Sequence, residues 1–256
     1  MDKRTFASTS FATPTAAGPD NTSFVQDIFS RVSARYDLMN DAMSLGLHRL
    51  WKKKFIQQLA LYPEMHILDV AAGTGDITRE IIKRTQHTNF KVHITATDLN
   101  ENMLQEGKKR LIDAGILQNV HWQVADAQAL PYPDNSFNAY VIAFGLRNVS
   151  QRSKALSEAL RVLKPGGQFL CMEFSHVTPA VLKHLYKGYS TLIIPRLGHL
   201  IAGDKAAYEY LVESIRAFPS QTKLQQQLEE IGFMKVSYQN LTCGVVAIHM
   251  GWKQGS

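Results

Sequence analysis

The sequence is poor in cysteine and has no closely paired histidines, and these shortages exclude two classes of site. It has only two cysteines in 256 residues, too few for a disulfide framework or a thiolate zinc site. Cys171 and Cys243 both lie in apolar runs, so we predict that they are small buried residues in a reducing compartment. The nine histidines lack the paired spacing of metal ligands, and no metal site is expected.

Long apolar runs and a strong charge imbalance are also missing. No apolar stretch approaches the roughly 20 residues needed to cross a bilayer, and the N-terminus lacks the apolar core of a secretory signal. The sequence therefore predicts a cytoplasmic protein. Its net charge of +6, from 28 basic and 22 acidic side chains, is modest. That excess is compatible with peripheral association at the inner membrane surface but does not require it.

The chain divides by composition into a tail and one domain. Residues 1–23 are rich in Ser, Thr, Ala and Pro and have no period, which is typical of a mobile N-terminal tail. The hydrophobic content of 45% supports a substantial core, and we expect residues 24–256 to form a single domain. Its expected additions are an N-terminal helical cap over 24–62 and an apolar substrate-side insertion over 177–215.

Strand and helix patterns alternate through the domain, which predicts an α/β fold with helices on both faces of a parallel sheet. Two C-terminal strand patterns are joined by a short turn, so we expect an antiparallel pair there. The result is a Rossmann-like, mostly parallel seven-stranded sheet. The predicted strands are 66–70, 92–98, 120–126, 139–144, 168–174, 234–241 and 245–252, and the helices include 24–36, 49–59, 76–84, 101–114 and 153–163.

A glycine-rich loop follows the first strand, in the segment LDVAAGTGD at 68–76. Gly73 and Gly75 permit close approach of a ligand to the backbone. A phosphate cradle would need a lysine that is absent, and a dinucleotide motif would need a third glycine where Thr78 stands. The remaining class is S-adenosylmethionine, whose positive charges would be attracted by the flanking carboxylates of Asp69 and Asp76.

Acids also lie at the next strand ends. Asp98 is placed to accept hydrogen bonds from ribose hydroxyls, which is the favoured role, and it could also cap the helix that begins near Glu101. Asp126, followed by Ala127, could accept from an adenine amino group or act as a turn acid. Ala143 ends the fourth strand and would lie beneath the cofactor.

The chain resembles the ubiquinone/menaquinone biosynthesis C-methyltransferases, a family of class I S-adenosylmethionine-dependent methyltransferases. The resemblance covers about residues 24–252. It is carried by LDVAAGTGD, ATDLN, VADAQALPYPDNSFNAYVIAFGLRNV and LRVLKPGG, and most specifically by YDLMNDAMSLGLHRLWK (36–52) and FGLRNV (144–149). It implies methyl transfer from S-adenosylmethionine to a ring carbon of a prenylated quinol. The cofactor contacts implied by matching positions are Thr74, Asp98, Asp126, Ala127 and Ala143, beside Gly73 and Gly75.

The expected chemistry needs a group that stabilises a phenolate, because ionising the quinol makes its ortho carbon nucleophilic. Arg147 is the candidate catalytic residue, in an electrostatic role. Its alternative role is an ion pair with a nearby acid. Asn148, His48 and Tyr36 are further candidates near the ring. An apolar lid for the prenyl tail is expected over 177–201, with Met39 and Met43 lining the same pocket.

Other functions stay open at this point. The chain could methylate another small phenolic or sterol-like substrate, or it could be a non-catalytic scaffold in a quinone-synthesis complex. A homodimer is compatible with the apolar insertion. No nucleic-acid partner is expected, because the basic runs WKKK (51–54) and KKR (108–110) lie on predicted helices, where solvated lysines are usual.

Overall fold

The structure, a computed structural model, describes residues 44, 46–86, 88, 91–116, 119–177 and 205–255. These residues form seven strands and six α-helices. The strands are β1 (Met65–Val70), β2 (Val92–Asp98), β3 (Val120–Val124), β4 (Phe137–Ala143), β5 (Leu163–Phe174), β6 (Met234–Leu241) and β7 (Val246–Trp252). The helices are α1 (Leu47–Gln57), α2 (Asp76–Thr85), α3 (Glu101–Asp113), α4 (Arg152–Val162), α5 (Lys205–Ala217) and α6 (Gln221–Ile231).

The strands form one sheet in the order β3-β2-β1-β4-β5-β7-β6. The first five are parallel, and β7 pairs antiparallel with both β5 and β6. This confirms the predicted mostly parallel sheet with an antiparallel C-terminal pair. The strand order reverses between β1 and β4, and a crevice forms outside the carboxyl ends of strands at such a switch point.

Helices bury both faces of the sheet because successive strand residues point to opposite sides. On one face, Ile67 and Val141 pack with Phe55 of α1 and Ile81 of α2. On the other face, residues from α4 and α6 pack over Leu68, Tyr140 and Phe169. The core is therefore divided into two layers by a sheet that is apolar on both sides.

Three local predictions differ from the structure. β5 begins at Leu163, so the predicted turn KPGG lies inside an irregular strand whose pairing with β4 shifts register. Helix α6 was not predicted; Ser220 caps its start and Gly232, at φ 112°, follows its end. Cys171 is buried as predicted, but Cys243 is exposed because it lies in the short turn between β6 and β7.

Several predictions fall outside the described residues. These are the tail, the helix over 24–36, Tyr36, Met39, Met43 and nearly all of the lid over 177–201. The domain boundaries at 23, 62, 177 and 215 stay predictions. Among the helices that the structure does describe, none combines the length and apolar character required to traverse a bilayer.

Candidate functional site

A cleft lies at the carboxyl ends of β1, β2 and β4, on the edge where the strand order reverses. It encloses about 870 Å³, including solvent space at its open mouth. Its lining includes two carboxylates and, among the described residues, no lysine or arginine. The lining residues are Val70, Ala71, Gly73, Asp98, Leu99, Asn100, Met103, Ala125, Asp126, Ala127, Gln128, Ala143, Phe144, Gly145, Asn148, Val149 and Ser150.

The glycine loop forms one wall of this cleft. Its backbone turns sharply between β1 and α2, with positive φ angles at Ala71 (53°), Gly73 (55°) and Gly75 (79°). The Gly73 N–H donates to Asp98 Oδ2 at 2.9 Å, which ties the loop to the end of β2. The loop conformation is therefore fixed by a carboxylate from the neighbouring strand.

Five of the seven predicted cofactor residues line the cleft: Gly73, Asp98, Asp126, Ala127 and Ala143. The other two do not. Thr74 is buried, and a Cβ on Gly75 would come within 2.8 Å of the Trp122 ring. Gly75 thus allows the loop to pack closely on β3 and α3, and its geometry supports a packing role rather than ligand contact.

Asp98 is held by the backbone on both sides. Oδ2 accepts from Gly73 N–H and Oδ1 accepts from Asn100 N–H, each at 2.9 Å. Burial raises the pKa of this carboxyl, while the backbone hydrogen bonds oppose the shift. The alternative role as helix cap is wrong, because the Asn100 side chain accepts from Met103 N–H at the start of α3.

Asp126 lies two residues beyond β3 and combines the two roles considered for it. Its carboxylate accepts from the Gln128 backbone N–H at 2.8 Å, the arrangement of a turn acid. The same residue lines the cleft. Since each carboxylate oxygen has two lone pairs, the turn contacts leave acceptor capacity for a ligand.

Asp69 and Asp76, the acids that flank the glycine loop, were predicted to attract the positive charges of the cofactor, but neither lines the cleft. Asp69 is buried and accepts from the Thr78 hydroxyl at 2.6 Å. Desolvation by burial raises its pKa to about 7. Asp76 instead forms an ion pair with Lys52 of α1. The carboxylates that face a ligand are Asp98 and Asp126.

Arg147 lies in a short 3-10 turn, Leu146–Asn148, just after β4, and its side chain is only 4% exposed. Its Nη1 lies 3.1 Å from Oε2 of Glu173, a residue of β5 that is 1% exposed. Its backbone N–H donates to the same carboxylate at 3.1 Å. The structure therefore shows the ion pair that was the alternative for Arg147.

The pairing with Glu173 uses Nη1 of the guanidinium and leaves its Nε buried, with no hydrogen-bond acceptor among the described residues. A buried donor without a partner is rare and is often explained by a ligand or water that completes it. The neighbouring Asn148 lines the cleft and accepts from the Tyr210 hydroxyl at 3.2 Å. Arg147 itself does not line the cleft, but it directly precedes Asn148, is oriented by Glu173 and retains a buried N–H.

Glu173 and Tyr210 were not predicted as site residues from the sequence. Glu173 did give a signal, since it is the one acid in the apolar strand QFLCMEF, and such an acid is seldom buried without a partner. Tyr210 gave none, because tyrosine is ordinary in an amphipathic helix. His48 is buried on α1 and lines a separate cleft between α1 and α2, so the structure does not bring it to the cofactor cleft.

Comparison with known sequences shows which family this chain resembles. Residues 17–253 match the profile of the ubiE/COQ5 methyltransferase family. A relative from Rickettsia akari (strain Hartford), the ubiquinone/menaquinone biosynthesis C-methyltransferase UbiE, is 52% identical over 231 residues, which is 90% of this chain and 92% of that protein.

Solved structures share the fold at low sequence identity. The [4+2]-cyclase SpnF matches with a TM-score of 0.66 and 16% identity, over 94% of this chain and 99% of its own. Haemonchus contortus phosphoethanolamine N-methyltransferase 2, solved with S-adenosyl-L-methionine, matches with a TM-score of 0.57 and 14% identity, over 80% of this chain and 52% of its own. The fold therefore occurs with different reactions, and the site must decide the chemistry.

Proposed function

The chain belongs to the ubiE/COQ5 methyltransferase family, and on that premise we propose that it transfers a methyl group from S-adenosylmethionine to a ring carbon of a prenylated quinol. The relative from Rickettsia akari carries the name of this activity. The observation that supports the proposal best is the cleft at the switch point, which offers Asp98 and Asp126 and no cation among the described residues. Such a lining suits a cationic cofactor and disfavours one that carries phosphates.

The residues of the cleft fit the parts of S-adenosylmethionine. The Asp98 carboxylate is fixed by two backbone N–H groups and can accept from the two ribose hydroxyls. Asp126 can accept from the adenine amino group, with Ala127 next to it, and Ala143 would lie beneath the cofactor. Gly73 carries no Cβ, so the backbone can approach the amino-acid portion closely.

The bound cofactor would supply an electrophilic methyl group on a sulfonium. A ring carbon of the quinol would accept that methyl group, with the sulfur leaving as a neutral thioether and the displaced ring proton passing to solvent. Before the attack, the quinol hydroxyl must ionise, and an unperturbed phenol has a pKa of about 10. The site must therefore favour the phenolate.

We infer that Arg147 favours the phenolate by donating a hydrogen bond from Nε to its oxygen. Glu173 occupies Nη1 and prevents the guanidinium from rotating, so the Nε–H is held in place before the substrate arrives. Arginine serves here as a hydrogen-bond donor and a positive charge, not as a base. The ion pair and the catalytic role are therefore compatible.

Methyl transfer can be tested directly with purified protein, labelled S-adenosylmethionine and a panel of reduced quinones. The panel contains a demethylmenaquinol, a polyprenyl-methoxy-benzoquinol, a simple phenol and a sterol. We expect a labelled methyl group on a ring carbon of one or both prenylated quinols. Label only in the phenol or the sterol would favour another small-molecule methyltransferase, and absence of cofactor binding in a thermal-shift assay would favour a scaffold.

The panel also decides between benzoquinol and naphthoquinol, which the cleft does not distinguish. A cytoplasmic location, a homodimer and membership of a quinone-synthesis complex stay predictions. Gel filtration coupled to light scattering of the full chain, with and without the quinol, would test the oligomeric predictions.

A further inference from the structure

The positive charge of the chain is concentrated on two neighbouring helices. Helix α1 carries four Lys or Arg residues and no acid, and α2 carries three of them with two acids. The two helices therefore hold a net +5, whereas the whole chain carries +6. By contrast, α3 contains the basic run KKR but has three acids to balance it, and Arg110 pairs with Glu106 at 2.9 Å.

Part of this charge is neutralised within the helices and part is not. Lys52 pairs with Asp76, and Lys83 pairs with Glu80 at 2.6 Å. Lys53, Lys54 and Arg79 are exposed and, among the described residues, have no acidic partner. Exposed cations without acids nearby leave a positive potential at the surface. We call the surface formed by Arg49, Lys53, Lys54, Arg79 and Lys83 the basic face.

An apolar side chain stands within the basic face. Leu50 is 60% exposed, and it lies three and four positions before Lys53 and Lys54, so the three side chains share one side of α1. An exposed leucine surrounded by cations is the pattern of helices that lie on anionic membranes. Nucleic acids offer no apolar layer for such a residue.

One end of the basic face lies next to the edge of the sheet that holds the cofactor cleft. Lys52 reaches Asp76 at the start of α2, and Arg84 at its end donates to Leu59 O at 2.7 Å just beyond α1. The two helices thus run side by side in the same direction. Asp76 directly follows Gly75 of the glycine loop, so the N-terminal end of the basic face adjoins the edge of the sheet that holds the cleft.

We propose that the basic face docks the protein on an anionic phospholipid bilayer. The proposal rests on the proposed function, because a prenylated quinol resides in a bilayer and docking would bring the cleft to its substrate. Basic residues near an anionic surface each strengthen binding roughly fivefold, and the attraction falls with ionic strength. Leu50 would enter the headgroup layer between Lys53 and Lys54.

Vesicle co-sedimentation of the full chain, without cofactor or quinol, tests the docking independently of catalysis. We expect binding to vesicles of phosphatidylcholine with 30% phosphatidylglycerol, weakening from low salt to 0.5 M, and little binding to phosphatidylcholine alone. The variant K53E/K54E/R79E should bind at least about 100-fold more weakly. Variant K108E/K109E/K223E has the same change in net charge at exposed positions elsewhere and should stay within about threefold of wild type.

Activity assays separate this proposal from the proposed function. With quinol in anionic vesicles, K53E/K54E/R79E should lose turnover while the control variant does not; on a tail-less quinol in solution both should match wild type. Equal vesicle binding by the two variants, or equal binding of wild type to neutral vesicles, would overturn the basic face as a membrane surface. Stronger binding to an RNA oligomer than to vesicles at equal phosphate would do the same.

Discussion

Arg147 and Glu173 form a buried ion pair between the carboxyl ends of β4 and β5, with Nη1 3.1 Å from Oε2. The two residues are 26 positions apart and become neighbours because β4 and β5 are adjacent parallel strands. The Arg147 guanidinium also lies over the Phe174 ring at 5.6 Å. The pair therefore fixes the arginine next to Asn148, which lines the cofactor cleft, and leaves the Arg147 Nε–H without an acceptor among the described residues.

Replacing Arg147 by lysine should separate charge from hydrogen-bond geometry. Lysine can still pair with Glu173, but it lacks the fixed fork that holds an Nε–H in place. We expect turnover to fall about 100- to 1000-fold, the usual loss for one transition-state donor, with cofactor affinity within about threefold. Single-turnover rates and calorimetry with S-adenosylmethionine measure the two. Equal losses in rate and affinity would reject the proposed role.

Substituting Glu173 by glutamine should lower stability as well as rate. It leaves the Arg147 charge buried without a counter-ion, and breaking a buried pair costs about 3 to 5 kcal/mol. Chemical denaturation measures the loss. Glu106→Gln is the matched control, because its pair with Arg110 is partly exposed and should be worth less than about 1 kcal/mol. Similar losses in the two variants would show that the buried Arg147–Glu173 pair contributes no more stability than a partly exposed one.

Asp98→Asn should weaken binding of S-adenosylmethionine about 10- to 100-fold, because hydrogen bonds to a charged acceptor are each worth about 1.5 to 3 kcal/mol. Titration calorimetry gives the affinity. Asp76→Asn removes an acid that also flanks the loop but pairs with Lys52 outside the cleft, and it should change the affinity less than threefold. If both variants lost affinity equally, the summed negative charge near the loop, and not the hydrogen bonds accepted by Asp98, would account for cofactor affinity.

Gly75→Ala should be far more disruptive than an alanine at another left-handed glycine. At Gly75 the new Cβ would meet the Trp122 ring at 2.8 Å, whereas Gly115, with a similar φ of 77°, has nothing within 4 Å. We expect a loss of about 1 kcal/mol for Gly115→Ala from backbone strain and about 3 kcal/mol for Gly75→Ala from strain and overpacking. Thermal denaturation compares them, and Trp122→Phe should partly rescue Gly75→Ala by removing the clashing ring.

Asp69 should make the protein lose stability as pH rises. Burial raises the pKa of this carboxyl from 3.8 to about 7 in the folded state, so between those values the folded chain holds a proton that the unfolded chain has released. The stability that this proton linkage contributes is fully present below about pH 4. It is lost as the pH rises through 7, by up to about 4 kcal/mol. Asp69→Asn should flatten this part of the stability profile measured by denaturation from pH 4 to 8; an unchanged slope would contradict the assignment.

The order of strands and helices followed from the sequence because their signals are local. The alternation of apolar residues marked β1, β2, β6 and β7 to within one residue, and the loop glycines marked the turn after β1. Helix α6 was not predicted because its apolar stripe is short and lies among many glutamines. The start of β5 was misplaced because KPGG has turn chemistry, yet pairing with β4 keeps Leu163 in the strand.

The sequence by itself determined the fold class, the location of the cofactor loop and the acids at the strand ends, since spacing and turn chemistry act over a few residues. Only the tertiary structure decided which partners those residues take. It assigned Asn100 rather than Asp98 to cap α3, gave Asp76 to Lys52, and gave Arg147 to Glu173. Such pairs join residues that are brought together by packing of the sheet and its helices, and no local pattern in the chain records which carboxylate will face which cation.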